Sequence, residues 1–358
     1  MAYGKRWFRC AVVALLLAAF VTGCATTSSL RYMAEGDADF GIDPASYTPT
    51  FSYRLLEAGV RLSGYKKIYA GNVETLKARA EKFNKNKPPV PPQKIYRRFD
   101  VMETTVNNSP CFFIMPKQNV RTDSAVFFLY GGGFMLNIDF FHWNVIERIV
   151  DELSVPVCVP MYPIYPETDP AAIIGVINGA FSQLCALFPE ARITALGDSS
   201  GAYLLLSLCH YLLAEDAARL PGQLICVSPA QTIAIDGTTL AEMKAIDKKD
   251  PVISIAILEN LSAIFNLNDS DINWFSAPMY GDFSRFPPII VFSGTHEIFY
   301  PLMRPFVERV RSQGTAITLY TGLRMPHVWP YMPLASESKY ALGVILEIID
   351  GNAAQTET

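Results

Sequence analysis

Leu196-Gly197-Asp198-Ser199-Ser200-Gly201-Ala202 decides how this chain is read. Before it, Ala191 to Leu196 is short, apolar and partly β-branched, bounded by Pro189-Glu190, as a strand would be. After it, Ala202 to Leu213 is apolar apart from Ser207, His210 and the tyrosines, which suits a buried helix. Between them, Gly197 and Gly201 flank Ser199 two residues away on either side. A serine at the tip of so sharp a strand-to-helix turn sits in a strained backbone conformation, where neighbouring side chains would collide.

Working outward, the same alternation continues. Ala125–Tyr130, Val155–Tyr162, Ile193–Leu196, Leu224–Val227, Pro288–Phe292 and Ile317–Tyr320 read as strands. Helices are expected over Trp143–Leu153, Ala171–Leu187, Ala202–Leu213 and Tyr340–Ile349. Strands and helices in this order predict an α/β fold with a mostly parallel central sheet and helices on both faces. Ile95–Met102 and Cys111–Met115 are expected to open it as a hairpin.

Upstream, Tyr53–Leu62 and Val73–Phe83 read as helices, the second capped by Asn72. The stiff Lys87-Pro88-Pro89-Val90-Pro91-Pro92 then separates them from the core. Ser228-Pro229 closes a strand, yet the next begins only at Pro288, so a segment is inserted at about 231–280. Ile253, Ile257, Leu261, Ile264 and Phe265 recur in it at helical spacing, with Asp250-Pro251 as a start. Such an insertion can serve as a lid or as an ordinary core helix.

Half of the 358 residues are hydrophobic and 18% are charged, enough to bury a large core. A net charge of -4 without a long basic run gives no footprint for nucleic acid. Lys5, Arg6 and Arg9, the apolar run Ala11–Val21 and Val21-Thr22-Gly23-Cys24 form an export signal resembling the lipobox of bacterial lipoproteins. That likeness implies cleavage after residue 23 and lipidation of Cys24. Several acyl chains there would hold the chain on a membrane, since each buried methylene adds about 0.8 kcal/mol and one chain alone is marginal. An unlipidated secretory signal and an uncleaved anchor are the other readings, and each exports the remainder. Residues 24–50 read as a tether, 51–92 as N-terminal cap helices plus connector, 93–350 as the core with its insertion, and 351–358 as a tail. Cys111, Cys158, Cys185, Cys209 and Cys226 lie in apolar segments and read as buried hydrophobes, with no disulfide framework.

A serine hydroxyl is a weak nucleophile at neutral pH and needs a base within hydrogen-bond reach, itself held by a third group. The chain has four histidines. His142 sits among aromatic residues, His210 falls inside an apolar helix and His296 abuts Glu297. His327, in Met325-Pro326-His327-Val328-Trp329, follows the last strand in a loop and is the candidate base. Glu297 is the only carboxylate in Phe292-Ser293-Gly294-Thr295-His296-Glu297-Ile298-Phe299 and is the candidate acid. Tyr130-Gly131-Gly132-Gly133-Phe134, directly after a buried strand, can turn backbone N–H groups toward a developing oxyanion. Phe134, Phe140, Phe141, Trp143, Trp329 and Tyr331 are candidates for an apolar rim.

With these residues assembled, the chain resembles the α/β-hydrolase superfamily, and within it the hormone-sensitive-lipase-like esterases marked by His-Gly-Gly-Gly and Gly-Asp-Ser-Ala-Gly. The resemblance runs from about Ala125 to Ile345, and Tyr162-Pro163-Ile164-Tyr165-Pro166-Glu167 looks like the family's Tyr-Arg-Leu-Ala-Pro-Glu segment. It implies Ser199 as nucleophile, the amides of Gly132, Gly133 and Ser200 as oxyanion donors, and hydrolysis of small-molecule esters of short to medium acyl chains, with no cofactor or metal. Tyr130 stands where the family has histidine, Glu297 where it more often has aspartate, and Ala202 replaces a glycine. The Tyr130 departure keeps open a non-catalytic binding lipoprotein on the same fold, and peptide or thioester hydrolysis fits the same three side chains.

Overall fold

From Ser124 onward, apolar strands and long helices alternate because neither can bury its apolar face alone. In this computed structural model, which describes residues 33–35 and 47–351 apart from 86, 167–168, 217–218, 233–234, 266–274 and 276, that alternation closes into one sheet. Its strands are β1 (Met33–Glu35), β2 (Asp100–Val106), β3 (Ser109–Met115), β4 (Ser124–Leu129), β5 (Val157–Pro160), β6 (Arg192–Asp198), β7 (Gln223–Val227), β8 (Ile289–Gly294) and β9 (Ile317–Gly322). Among the described residues their order is β1-β9-β8-β7-β6-β4-β5-β3-β2. Neighbours from β5 through β9 run parallel, whereas β1, β2 and β3 pair antiparallel at the edges. Every residue of β4 is buried, as a strand covered on both faces requires.

The helices are α1 (Phe51–Ser63), α2 (Val73–Asn84), α3 (Gln93–Arg98), α4 (Phe140–Leu153), α5 (Pro170–Leu187), α6 (Ser200–Ala214), α7 (Gly237–Asp247), α8 (Ala256–Phe265), α9 (Tyr300–Ser312) and α10 (Ser336–Asp350). One expectation fails at the start of the sheet. Ile95–Met102 is not a strand: α3 occupies Gln93–Arg98, begun by Pro92, and β2 starts only at Asp100. The hairpin itself stands, displaced toward Val106, and turns on Asn107-Asn108 with φ of 49° and 65°. Two left-handed residues are what a type I′ turn needs, and asparagine tolerates that region. α9, which carries Pro305 in its interior, has no counterpart in the sequence reading, and neither has α7.

The N-terminal helices lie against the insertion between β7 and β8. Lys66 pairs with Asp247 at 3.1 Å and donates to the Asp250 carbonyl at 3.0 Å. Arg61 donates to the Lys249 carbonyl at 2.6 Å, and Asn260 to that of Gly71 at 3.2 Å. The start of α1 is pinned to α10, where buried Glu337 accepts from Thr50 N–H and Thr50 Oγ1, both at 2.7 Å. The five described cysteines are free, and all but half-buried Cys185 are buried; Cys111 and Cys158 face each other with sulfurs 3.6 Å apart. The leader, Cys24 and most of the tether lie outside the described residues.

Candidate active site

β6 ends at Asp198 and α6 begins at Ser200, so Ser199 is the single residue between them, with φ 52° and ψ -120°. A non-glycine residue in that region costs about 1–3 kcal/mol and persists only where its surroundings impose it. They do so here by close packing: a Cβ on Gly201 would lie 2.1 Å from the Leu129 carbonyl oxygen, so α6 can start this near β4 only without a side chain. Ser199 N–H donates to the Val227 carbonyl at 2.9 Å, which fixes the turn to the end of β7. The hydroxyl thus stands at the N-terminus of a 15-residue helix, where the backbone dipoles favour negative charge.

Two loops bring the partners. After β9, the loop holding His327 is laced to the one after β8: His296 N–H donates to the Met325 carbonyl at 3.0 Å, and Arg324 N–H to Thr295 Oγ1 at 2.8 Å. Val328 N–H donates to Ser228 Oγ at 2.9 Å, anchoring the same loop over β7. In consequence His327 Nε2 lies 2.9 Å from Ser199 Oγ, and both side chains are buried. Glu297, fully buried, places Oε2 at 3.5 Å from His327 Nδ1 and accepts the Ser293 hydroxyl on Oε1. The structure therefore brings Ser199, His327 and Glu297 together in that order. At 3.5 Å the acid contact is looser than a full hydrogen bond, as is common before substrate binds.

The glycine loop faces this group. Gly132 and Gly133 have φ of 144° and 61°, conformations in which a side chain is strained. Its outer ends are held from behind: Tyr162 OH donates to the Tyr130 carbonyl, and Tyr165 N–H to that of Phe134 at 2.7 Å. Tyr130 stacks on Tyr162 with ring centroids 4.6 Å apart, so the tyrosine in place of the loop histidine is packed as a brace. Of the three expected oxyanion donors, Gly133 is engaged otherwise: its N–H donates to Ser200 Oγ at 3.1 Å.

Above Ser199 and His327 opens a cavity of about 550 Å³, walled by Leu55, Leu56 and Val60 of α1, Val252 of the insertion, Leu136 and Tyr331. No lysine or arginine lines it among the described residues. Of the aromatic residues expected at the rim, Phe141 and Tyr331 line the cavity, whereas Phe134, Trp143 and Trp329 are buried without lining it and Phe140 is exposed. The N-terminal helices, expected as a cap from the family resemblance, contribute Leu55, Leu56 and Val60 of α1 to the cavity wall.

One further buried carboxylate adjoins the site. Asp250, at the base of the insertion, accepts Val252 N–H at 2.9 Å and Ile253 N–H at 3.4 Å on Oδ1. Burial pushes its carboxyl up to about 6, against the pull of His327. His210 is apart from the site; its Nε2 donates to the Pro278 carbonyl at 2.9 Å between Phe283 and Phe286, and burial lowers its basicity.

Comparison with known proteins finds relatives of the same fold. The model of a family described as the alpha/beta hydrolase fold matches residues 126–331. An acetyl-hydrolase of Streptomyces hygroscopicus is 25% identical over 67% of this chain and 79% of its own length. A triacylglycerol lipase of Mycobacterium tuberculosis is 23% identical over 49% of this chain and 35% of its own. A crystal structure of an esterase from the bacterial hormone-sensitive lipase family superposes with a TM-score of 0.68 at 21% identity, covering 84% of this chain and 98% of that one. With a strained serine between β6 and α6, a histidine loop after β9 and a family match across more than half its length, this chain belongs to the alpha/beta hydrolase fold family.

Proposed function

We propose that the protein hydrolyses carboxylic esters of short to medium acyl chains through an acyl-enzyme on Ser199. That it is a carboxylesterase-like hydrolase follows from its family and relatives; the residue roles and chain length are our reading. The observation that carries it is the 2.9 Å contact between Ser199 Oγ and His327 Nε2 at the base of an apolar cavity. Ser199 Oγ attacks the ester carbonyl carbon as His327 Nε2 takes its proton, leaving a tetrahedral oxyanion. Glu297 stabilises the imidazolium that forms. The alcohol departs with that proton, and a water activated by His327 then releases the acid and restores Ser199. Backbone amides of the glycine loop and of Ser200 at the start of α6 meet the oxyanion, where each donor contributes about 3–4 kcal/mol. The cavity walls take the acyl chain, and the apolar side chains of Leu55, Leu56, Val60, Val252 and Leu136 favour uncharged chains.

The N-terminal helices and the insertion act as the cap over this cavity, which the contacts of Lys66, Arg61 and Asn260 between them support. Lys5, Arg6, Arg9, the apolar run and Cys24 support export and lipid anchoring, which places the enzyme at the surface of a bacterial envelope membrane.

A fluorophosphonate probe tests the mechanism. The wild type is labelled and loses esterase activity, whereas Ser199→Ala takes no label. A wild type that hydrolyses esters yet stays unlabelled would overturn the assignment.

A further inference from the structure

The residue before Ser199 carries a buried carboxylate that the reaction above does not use. Asp198 Oδ1 accepts Gly131 N–H at 3.0 Å, and the approach is so close that a Cβ on Gly131 would lie 2.2 Å from Asp198 Oδ2. The same carboxylate faces His142 Nε2, 3.3 Å from Oδ1 and 3.4 Å from Oδ2. On its other side, His142 Nδ1 lies 3.0 Å from Asp139 Oδ1 and 3.1 Å from the Asp139 backbone N–H. The imidazole is therefore clamped between two buried carboxylates.

Its protonation state follows from that clamp. A neutral ring accepting the Asp139 N–H on Nδ1 would point a lone pair at a carboxylate oxygen 3.0 Å away. The imidazolium instead presents an N–H to each carboxylate. Burial alone disfavours that charge, but Asp198 and Asp139 outweigh it and push His142 up to about 10. The rings of Tyr130, Phe128 and Tyr331 enclose it edge-on at 6.0, 6.3 and 6.3 Å, and Lys87 approaches Asp139 at 3.8 Å from outside.

At the far end of the glycine triplet, Gly133 N–H is held by Ser200 Oγ at 3.1 Å. The side chains immediately before and after Ser199 thus bind the first and last glycines, and Gly132 lies between them.

Resting on the esterase reading above, we propose that His142 is a positioning residue for acyl transfer: through Asp198 it holds Gly131, and with it the whole glycine loop, in register with Ser199. His142 does not touch the reacting atoms. It sets where the loop's amides stand when the oxyanion forms, and so acts on the transition state and not on ester binding.

The rival role is that of an ordinary helix-start residue, in which a neutral His142 accepts the Asp139 N–H on Nδ1 and so completes the capping box of α4. The two separate in kinetics. In purified His142→Gln, kcat for a p-nitrophenyl ester falls about 10- to 100-fold while KM stays within about threefold, as expected for a partly misplaced oxyanion donor. The inhibition constant of a trifluoromethyl ketone, which forms an oxyanion on Ser199, rises by the same factor, and that of a matching unreactive amide does not move. Asp198→Asn, which keeps an oxygen for Gly131 but loses the charge, follows the same pattern and serves should His142→Gln fail to fold. The double variant loses little more than either single one. Folded variants with an altered melting temperature but unchanged kcat and ketone affinity overturn the proposal and leave the esterase reading intact. A wild type that neither hydrolyses esters nor takes a fluorophosphonate overturns both.

Discussion

Glu297 Oε2 stands 3.5 Å from His327 Nδ1 while its Oε1 takes the hydroxyl of Ser293, four residues earlier at the end of β8. The side chain is thus folded back onto the end of β8 and steadied there, with its second oxygen toward His327. In the proposed mechanism Glu297→Gln removes the charge that stabilises the imidazolium, and it is expected to lower kcat by about 10²–10⁴. His296→Ala, one residue away, is expected to leave kcat within about threefold. Steady-state rates on one p-nitrophenyl ester decide it, and the opposite order would reassign the acid.

Asp250 is the other buried carboxylate near His327, and its oxygen is already committed to Val252 and Ile253 amides. Asp250→Asn is therefore expected to loosen the insertion, lowering the melting temperature by a few degrees, as weakening buried hydrogen bonds worth about 1 kcal/mol would. Its effect on kcat should be far below that of Glu297→Gln.

Gly201 has no room to grow. A methyl group there meets the Leu129 carbonyl oxygen at 2.1 Å and the Tyr130 carbonyl at 2.7 Å, both backbone atoms that cannot swing aside. Gly201→Ala is expected to cost about 2 kcal/mol or more, read by denaturant unfolding, and to abolish fluorophosphonate labelling even in the folded fraction.

The His142 clamp gives stability a pH signature. Its basicity is raised in the folded protein to about 10 from an ordinary 6.5, so the stabilisation is complete below about pH 6.5. It is lost as pH rises toward 10, by up to about 1.4 kcal/mol per unit. Melting temperatures measured between pH 6.5 and 10 should fall more steeply for the wild type than for His142→Gln.

Chain-length preference should follow the α1 wall. Replacing Val60 or Leu55 with tryptophan fills part of the 550 Å³ cavity without touching Ser199. Turnover of longer p-nitrophenyl esters is expected to drop at least tenfold relative to the acetate ester. Equal losses on every chain length would show that the acyl group binds elsewhere.

Much of this was legible before any coordinates. A tight turn writes itself into neighbouring residues: Gly197 and Gly201 around Ser199, and the triplet Gly131-Gly132-Gly133, carry their backbone requirements locally. Buried parallel strands such as Phe127-Phe128-Leu129 and Leu224–Val227 declare themselves by unbroken apolar runs. Less was visible where the signal is short or mixed. The six residues of α3 were too few for a helical period to stand out beside a β-rich stretch, and Pro305 hid α9.

What the sequence determined by itself, then, is the alternation of the core strands and helices and the sharp turn around Ser199, because periodicity and turn chemistry act over a few residues. The rest belongs to tertiary structure. The 2.9 Å meeting of Ser199 with His327, 128 positions apart, and the wall that α1 lends to the cavity depend on how distant segments pack. So do the engagement of Gly133 by Ser200 and the clamp of Asp139 and Asp198 on His142. Side chains far apart along a chain carry no mark of one another, and only the sheet that sets β4, β6, β7, β8 and β9 side by side brings their ends, and the loops that follow, to one edge.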